Sequence, residues 1–199
     1  MSNINDALEV LLNEEEPVIY DYDESPDYMF VTIDYTGGRY FMLPIEMLID
    51  DSDENILSLV GHTSNSLKIN KNAAMNHLWS EMLVNDLNAL SAENHNVGVW
   101  SCSLEGDSLR NALELRGEVI FQFWLNIPKS LDTKSIATLL KAGIESYKNS
   151  VGRIQRFIHK CESTDSALSF EDVFPEKDNV QISFHPKFLD ILNHSDESE

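Results

Sequence analysis

The chain has 199 residues, enough for one hydrophobic core of ordinary size and too few for two. Fourteen Lys and Arg stand against 34 Asp and Glu, a net charge of −20. That balance argues against a nucleic acid or an anionic membrane as partner, because phosphates need cationic counter-charge.

The acidity is local. Residues 1–60 carry 15 acids and one base, residues 61–163 carry 10 acids and 11 bases, and residues 164–199 carry nine acids and two bases. Solvated loops and a tail around a neutral core account for this pattern; the alternative is an acidic face that steers a basic partner. The first residues show neither a basic nor an apolar leader segment, and no stretch approaches a membrane-spanning run, so neither is expected. Two cysteines, Cys102 and Cys161, suit a reducing compartment better than a disulfide scaffold, which makes the cytoplasm the expected location.

Ile4, Ala7, Leu8, Leu11 and Leu12 fall on one stripe of a short helix, capped by Ser2 or Asn3 and closed by Pro17. An acidic linker from Tyr20 to Asp27 follows. Its tyrosines, Tyr20 and Tyr22, read either as part of a polar linker or as a docking strip. Tyr28 to Tyr35 and Arg39 to Ile45 are β-prone runs joined by Gly37-Gly38, the pattern of a hairpin. Asp50 to Glu54 is an acidic turn, and Ile56 to Val60 a third strand. The turn lacks the glycine and the final glutamate of a calcium loop, so it reads as solvated.

A longer helix is predicted from about Asn72 to Leu90, with Ala74, Leu78, Met82, Leu83, Leu87 and Leu90 as its stripe. Val97 to Leu104 and Leu109 to Leu115 look like a strand pair. Val119 to Ile127 is the strongest strand: its odd positions are all apolar, and its other face sets Ile120 and Trp124 beside Gln122 and Asn126. Pro128 ends it, and Asp132 caps a last helix over about 133–160, whose stripe includes Ile136, Leu140, Gly143, Tyr147, Val151, Ile154 and Ile158. Periodicity is lost after Glu162. Residues 1–162 are therefore expected to form one α+β domain and residues 163–199 an acidic, mobile tail, in which Phe184 and Phe188 to Leu192 offer one short apolar patch.

Residues that carry chemistry are scarce. None of the six histidines stands three or four residues from another or from a cysteine, so no metal site and no cofactor is expected. No nucleophile elbow, phosphate loop or dinucleotide turn occurs, and no catalytic residue is assigned. Cys102 is in phase with Trp100 and Leu104 on a strand and reads as a structural thiol; Cys161 closes a helix whose C-terminal dipole disfavours a thiolate. Trp124 is left between core and interface. With Ile120 and Gln122 on the same face, and with Tyr20 and Tyr22, it forms the candidate protein interface.

From about Leu57 to Phe157 the order of elements, the run Asn96-Val97-Gly98-Val99-Trp100-Ser101-Cys102-Ser103-Leu104-Glu105-Gly106-Asp107, the apolar strand Val119–Ile127 and the closing helix with Tyr147 in its stripe resemble the YbjN-type family. These are bacterial proteins whose fold is like that of type III secretion chaperones. The acidic linker before the first strands and the residues after the last helix depart from that pattern. The resemblance implies an antiparallel sheet packed by helices in the order helix, three strands, helix, two or three strands, long helix, often paired as a homodimer, with a regulatory or chaperone-like role. The expected function is thus a non-enzymatic binder of another protein or of itself, with no nucleic acid or membrane as partner. The alternatives are an enzyme whose site is assembled from dispersed residues such as Asp34, His62 and Glu81, and a structural subunit of a larger assembly.

Overall fold

In the computed structural model the described residues are 2–24, 28–33, 45–63, 67–68, 73–94, 96–105, 118–164 and 168–174. They form α1 (Ser2–Leu12), β1 (Asp21–Glu24), β2 (Tyr28–Ile33), β3 (Ile45–Asp50), β4 (Ile56–His62), β5 (Leu67–Lys68), α2 (Ala73–Glu93), β6 (Val99–Glu105), β7 (Glu118–Pro128), α3 (Thr133–Ser163) and α4 (Phe170–Val173). Contacts group Met1–Leu168 into one unit and Ser169–Glu199 into another. The protein is α+β: one antiparallel sheet, with helices packed against it, in the order helix, strands, helix, strands, long helix.

The sheet runs β1-β2-β3-β4-β7, and β6 closes the far edge by pairing with β7. The short β5 continues β4 along the same side of β7. His62 stands opposite Gln122 and Leu67 opposite Val119, so five steps on one chain match three on the other. Among the described residues the sheet therefore has six strand positions.

Cross-strand register sorts the side chains into two faces. The inner face is a continuous apolar surface: Met29, Val31 and Ile33 of β2, Met47 and Ile49 of β3, Leu57 and Leu59 of β4, and Val119, Phe121, Phe123 and Ile127 of β7 are all buried. α3 lies on this face because its stripe of Ile136, Leu140, Ile144, Tyr147, Val151, Ile154 and Ile158 is buried in turn. Asp132 caps the helix as expected, accepting from the backbone N–H of Ser135 at 2.8 Å. α1 packs its buried Ile4, Ala7, Leu8 and Leu11 against α3, and Lys141 of α3 pairs with Glu14 at 2.6 Å.

Two glycines set how closely α3 approaches. A Cβ on Gly61 of β4 would stand 2.6 Å from the ring of Tyr147, and one on Gly143 of α3 would stand 2.6 Å from Leu125 and 3.0 Å from Leu59. Tyr147 is fully buried between these elements. Its ring stacks on Trp100 at 5.5 Å and meets Phe123 edge-on at 5.8 Å, while its hydroxyl donates to the carbonyl of His62.

α2 guards the β6 edge. Asn88 lays its side-chain amide against the backbone of Trp100, accepting from the N–H at 2.8 Å and donating to the carbonyl at 2.9 Å. Both edge groups of that residue are thereby satisfied, as a neighbouring strand would satisfy them. The indole N–H of Trp100 donates to Ser150 on α3 at 2.7 Å. Arg153 of α3 pairs with the buried Asp86 of α2 at 3.0 Å. The indole N–H of Trp79 donates to the Leu168 carbonyl at 3.0 Å. The buried side of α2 thus includes Asn76, Ser80 and Asp86 beside Trp79, Leu83 and Leu87, while Leu78, Met82 and Leu90 of the expected stripe are only half-buried.

Two local expectations are revised, and others fall on residues that are not described. Tyr20 to Glu24 of the acidic linker carries strand β1, held to β2 from Asp21↔Thr32 to Glu24↔Met29. β3 begins at Ile45, and its pairing with β2 closes at Ile33↔Ile45; the Gly37-Gly38 turn and most of the Arg39 to Ile45 strand lie outside the described residues. α1 already includes Asn3, which the sequence offered as a cap. The Leu109 to Leu115 strand and the apolar patch of Phe184 and Phe188 to Leu192 also lie outside the described residues. In the Ser169–Glu199 unit, Ser169 and Asp172 form a reciprocal cap for α4, and the rings of Phe170 and Phe174 stand 4.9 Å apart.

Two substitutions probe these contacts. Asn88→Ala strips both partners from the Trp100 edge and is expected to cost about 1–3 kcal/mol in urea unfolding, against less than about 0.5 kcal/mol for Asn85→Ala on the exposed side of the same helix. Equal effects would mean that the edge groups find other partners. Gly61→Ala forces a methyl into the Tyr147 ring and should cost about 1–3 kcal/mol by overpacking. An unchanged unfolding midpoint would show that α3 can retreat freely.

Candidate functional site: the outward sheet face

The residues between the inner positions point away from α3, and register aligns one apolar member from each of five neighbouring strands. Phe30 stands opposite Leu48, Leu48 opposite Val60, Val60 opposite Trp124, and Trp124 opposite Val99. This row crosses the sheet at right angles to the strands. At a strand spacing of about 4.8 Å it is roughly 19 Å long. Val60 at its centre is 3% exposed, whereas Phe30 at one end is 38% and Val99 at the other 55% exposed. Val60 is thus the least exposed member of the row, with Leu48 and Trp124 half-buried on either side of it.

Polar rows flank it. On one side Asp50, Ser58 and Asn126 align, with the Ser58 hydroxyl donating to the Asn126 side-chain amide oxygen at 2.9 Å. On the other, His62, Gln122 and Ser101 align, and the Ser101 hydroxyl donates to the Gln122 backbone carbonyl at 3.4 Å. An apolar strip between polar rows is the usual anatomy of an interface centre.

The structure brings three of the five expected interface residues together here. Trp124 is half-buried at the fourth position of the row, and Gln122 and Ile120 follow it along β7 on the same face. Tyr22 lies opposite Val31, on the inner side of β1, and Tyr20 precedes that strand, 56% exposed, with its N–H bonded to the Thr32 carbonyl at 2.8 Å. The tyrosines therefore belong to the sheet edge, away from the Trp124 row. Sequence reading missed Leu48, Val60, Phe30 and Val99. Each sits singly in its own strand, and only the pairing register lines them up.

Charge is uneven along the face. Asp21 and Asp23 of β1 and Asp50 of β3 occupy outward positions at one end, and Asp21 and Asp23 are exposed. The hydroxyl and N–H of Ser52 hold the Asp50 carboxyl below its ordinary range. The Val99 end carries Ser101, Ser103 and Gln122 instead.

The acidic turn beyond Asp50 has a cation of its own. Lys129 pairs with the Asp51 carboxylate and donates to the carbonyls of Asp51 and Asp53. Asp53 accepts from the N–H groups of Asn55 at 2.8 Å and Ile56 at 3.0 Å. The turn read as merely solvated is thus wound about the ammonium that follows β7, which ties the β3–β4 connection to the end of that strand.

His62 projects from the outward face, whereas Glu81 sits on α2, 3.8 Å from His77; Asp34 lies outside the described residues. Among the described residues no three His, Cys, Asp or Glu side chains are close enough to share a metal ion. Both cysteines are free. Burial, helped by Glu81, pushes the Cys102 thiol up to about 11, and burial, helped by Glu162, pushes Cys161 up to about 12. Both should therefore stay protonated and unreactive toward a chromogenic disulfide at pH 8, and titrate as two thiols per chain in denaturant. Rapid labelling of the folded protein would show that one lies in an opening segment.

No helix among the described residues is long and apolar enough to cross a membrane. Set against protein-family models, curated proteins and solved structures, the chain matches none.

Proposed function

We propose that this protein is a non-enzymatic, chaperone-like or regulatory adaptor that binds another polypeptide on the outward face of its sheet. The observation that carries the reading is the apolar row from Phe30 to Val99, continuous across five strands and ending in a valine more than half exposed. Contiguous apolar surface bounded by polar groups is the ordinary mark of an interaction site, and a tryptophan within it is the commonest kind of anchor. The order of elements agrees with what the YbjN-type resemblance implies, and that family's regulatory or chaperone-like description favours the same reading. Free cysteines with high thiol pKa values suit the cytoplasm as its location.

A homodimer is the second reading, favoured by the symmetry of the row. Val60 is its midpoint, so a two-fold axis there would lay Val99 of one copy over Phe30 of the other, and the Asp21 and Asp23 end of one face over the Ser101 end of its mate.

A photo-crosslinking side chain at Val99 should capture a protein in the cell of origin, and the same group at Val10, a 47% exposed position on α1, should not. Adding Trp124→Ala should weaken the captured complex by about thirtyfold, the loss of one anchor. Capture equal at both positions, or unaffected by Trp124→Ala, places binding elsewhere. Capture of a second copy, with concentration-dependent sedimentation of the purified protein, selects the homodimer.

A further inference from the structure

We infer that the occupant of the outward face is a basic, amphipathic helix from a partner protein, seated along the apolar row with its cationic end over β1 and β3. The inference rests on the binding role proposed above and adds the chemistry and shape of the partner.

Shape follows from backbone accounting. Strand addition at an edge is obstructed: Asn88 occupies the Trp100 groups of β6, and β1 at the opposite edge carries Asp21 and Asp23. A segment on the face has to follow a row that runs across the strands. An extended segment laid that way would press unpaired N–H and C=O groups against Leu48, Val60 and Trp124, at a desolvation cost for each. A helix brings its backbone bonds with it. Its turns rise about 5.4 Å and the strands stand about 4.8 Å apart, so each turn can set one apolar side chain against one strand. Anchors at i, i+4, i+7 and i+11 cover the row in about four turns.

Charge gives the direction. Asp21, Asp23 and Asp50 stand at the outward positions of one end, and the other end has Ser101, Ser103 and Gln122. Lys or Arg at one end of the helix would meet the three carboxylates, while acids there would be repelled. Residues 1–60, which hold β1 to β3, have only one base against 15 acids, so the wider field has the same sign. Among the described residues the chain's own helices do not supply such a segment: α1 and α2 contain neither Lys nor Arg, and α3 has its apolar stripe buried on the inner face.

The test uses the full chain and a labelled 16-residue helical peptide with Leu at the four anchor positions and three Lys at one end, made in both polarities. Controls replace the Lys with Glu, or put Pro at the centre. By fluorescence anisotropy, one polarity of the Lys peptide should bind at least tenfold tighter than its Glu counterpart, and the Pro peptide should lose most of its binding. Asp21→Asn with Asp23→Asn should reduce the Lys-over-Glu preference below threefold. Trp124→Ala, or Val99→Glu if the former does not fold, should weaken all helical peptides by an order of magnitude or more. Equal binding of Lys and Glu peptides, or a preference that survives the double Asn variant, overturns the charge assignment. Undiminished binding of the Pro peptide overturns the helix. If no peptide binds while the crosslinker at Val99 still captures a protein, the inference falls and the adaptor reading stands. If the captured protein is a second copy of this chain, the homodimer takes the face and the inference falls.

Discussion

The close contact of α3 with the sheet is the constraint on which the remaining geometry depends. Gly61 and Gly143 remove two side chains from opposite surfaces, so Tyr147 and Leu125 enter space that a methyl would occupy. The gain is dense packing in a chain with little core to spare. Tyr147 then unites three elements: its ring touches Trp100 of β6 and Phe123 of β7, and its hydroxyl reaches β4 at His62. With the inner face so tightly committed, side chains one step along each strand have no choice but to face away from α3. The outward row is in this sense a by-product of the inner one. Period two carries a side chain at every inner position and leaves another in between.

What the sequence made legible was local periodicity. The stripes of α1 and α3, the cap at Asp132 and the alternation of β7 are each contained in a dozen or so neighbouring residues, and each was readable. β1 was not, because Asp21-Tyr22-Asp23-Glu24 has the composition of a loop and becomes a strand only through its hydrogen bonds to β2. β5 has two described residues and was not foreseen for the same reason. The polar burial on α2 was also hidden: Asp86 is buried because Arg153, 67 residues further on, meets it. Trp124, Ile120 and Gln122 were found in the sequence because they share one strand. Leu48 and Val99 required the register of the whole sheet, a non-local quantity.

Acidity takes several physical roles in this chain. At Asp132 a carboxylate ends a helix; at Asp86 it joins two helices; at Asp51 it helps enclose a lysine. At Asp21 and Asp23 the acids are set on an exposed strand edge, where they discourage edge pairing and colour one end of the outward face. A net charge of −20 therefore conceals a division between carboxylates used for folding and carboxylates left for encounter.

Asn88 shows how a single side chain can stand in for a strand. Its amide offers one donor and one acceptor in a plane, matching the N–H and C=O of Trp100. That match makes the amide hard to replace. Hydrolysis of the side-chain amide would keep the oxygen that accepts from the Trp100 N–H and replace the donor with a second oxygen, aimed at the Trp100 carbonyl. One favourable bond would become a repulsion between two acceptors, in a partly buried place. Ageing of this one residue would thus loosen α2 from the strand beside Val99, starting from the edge of the sheet.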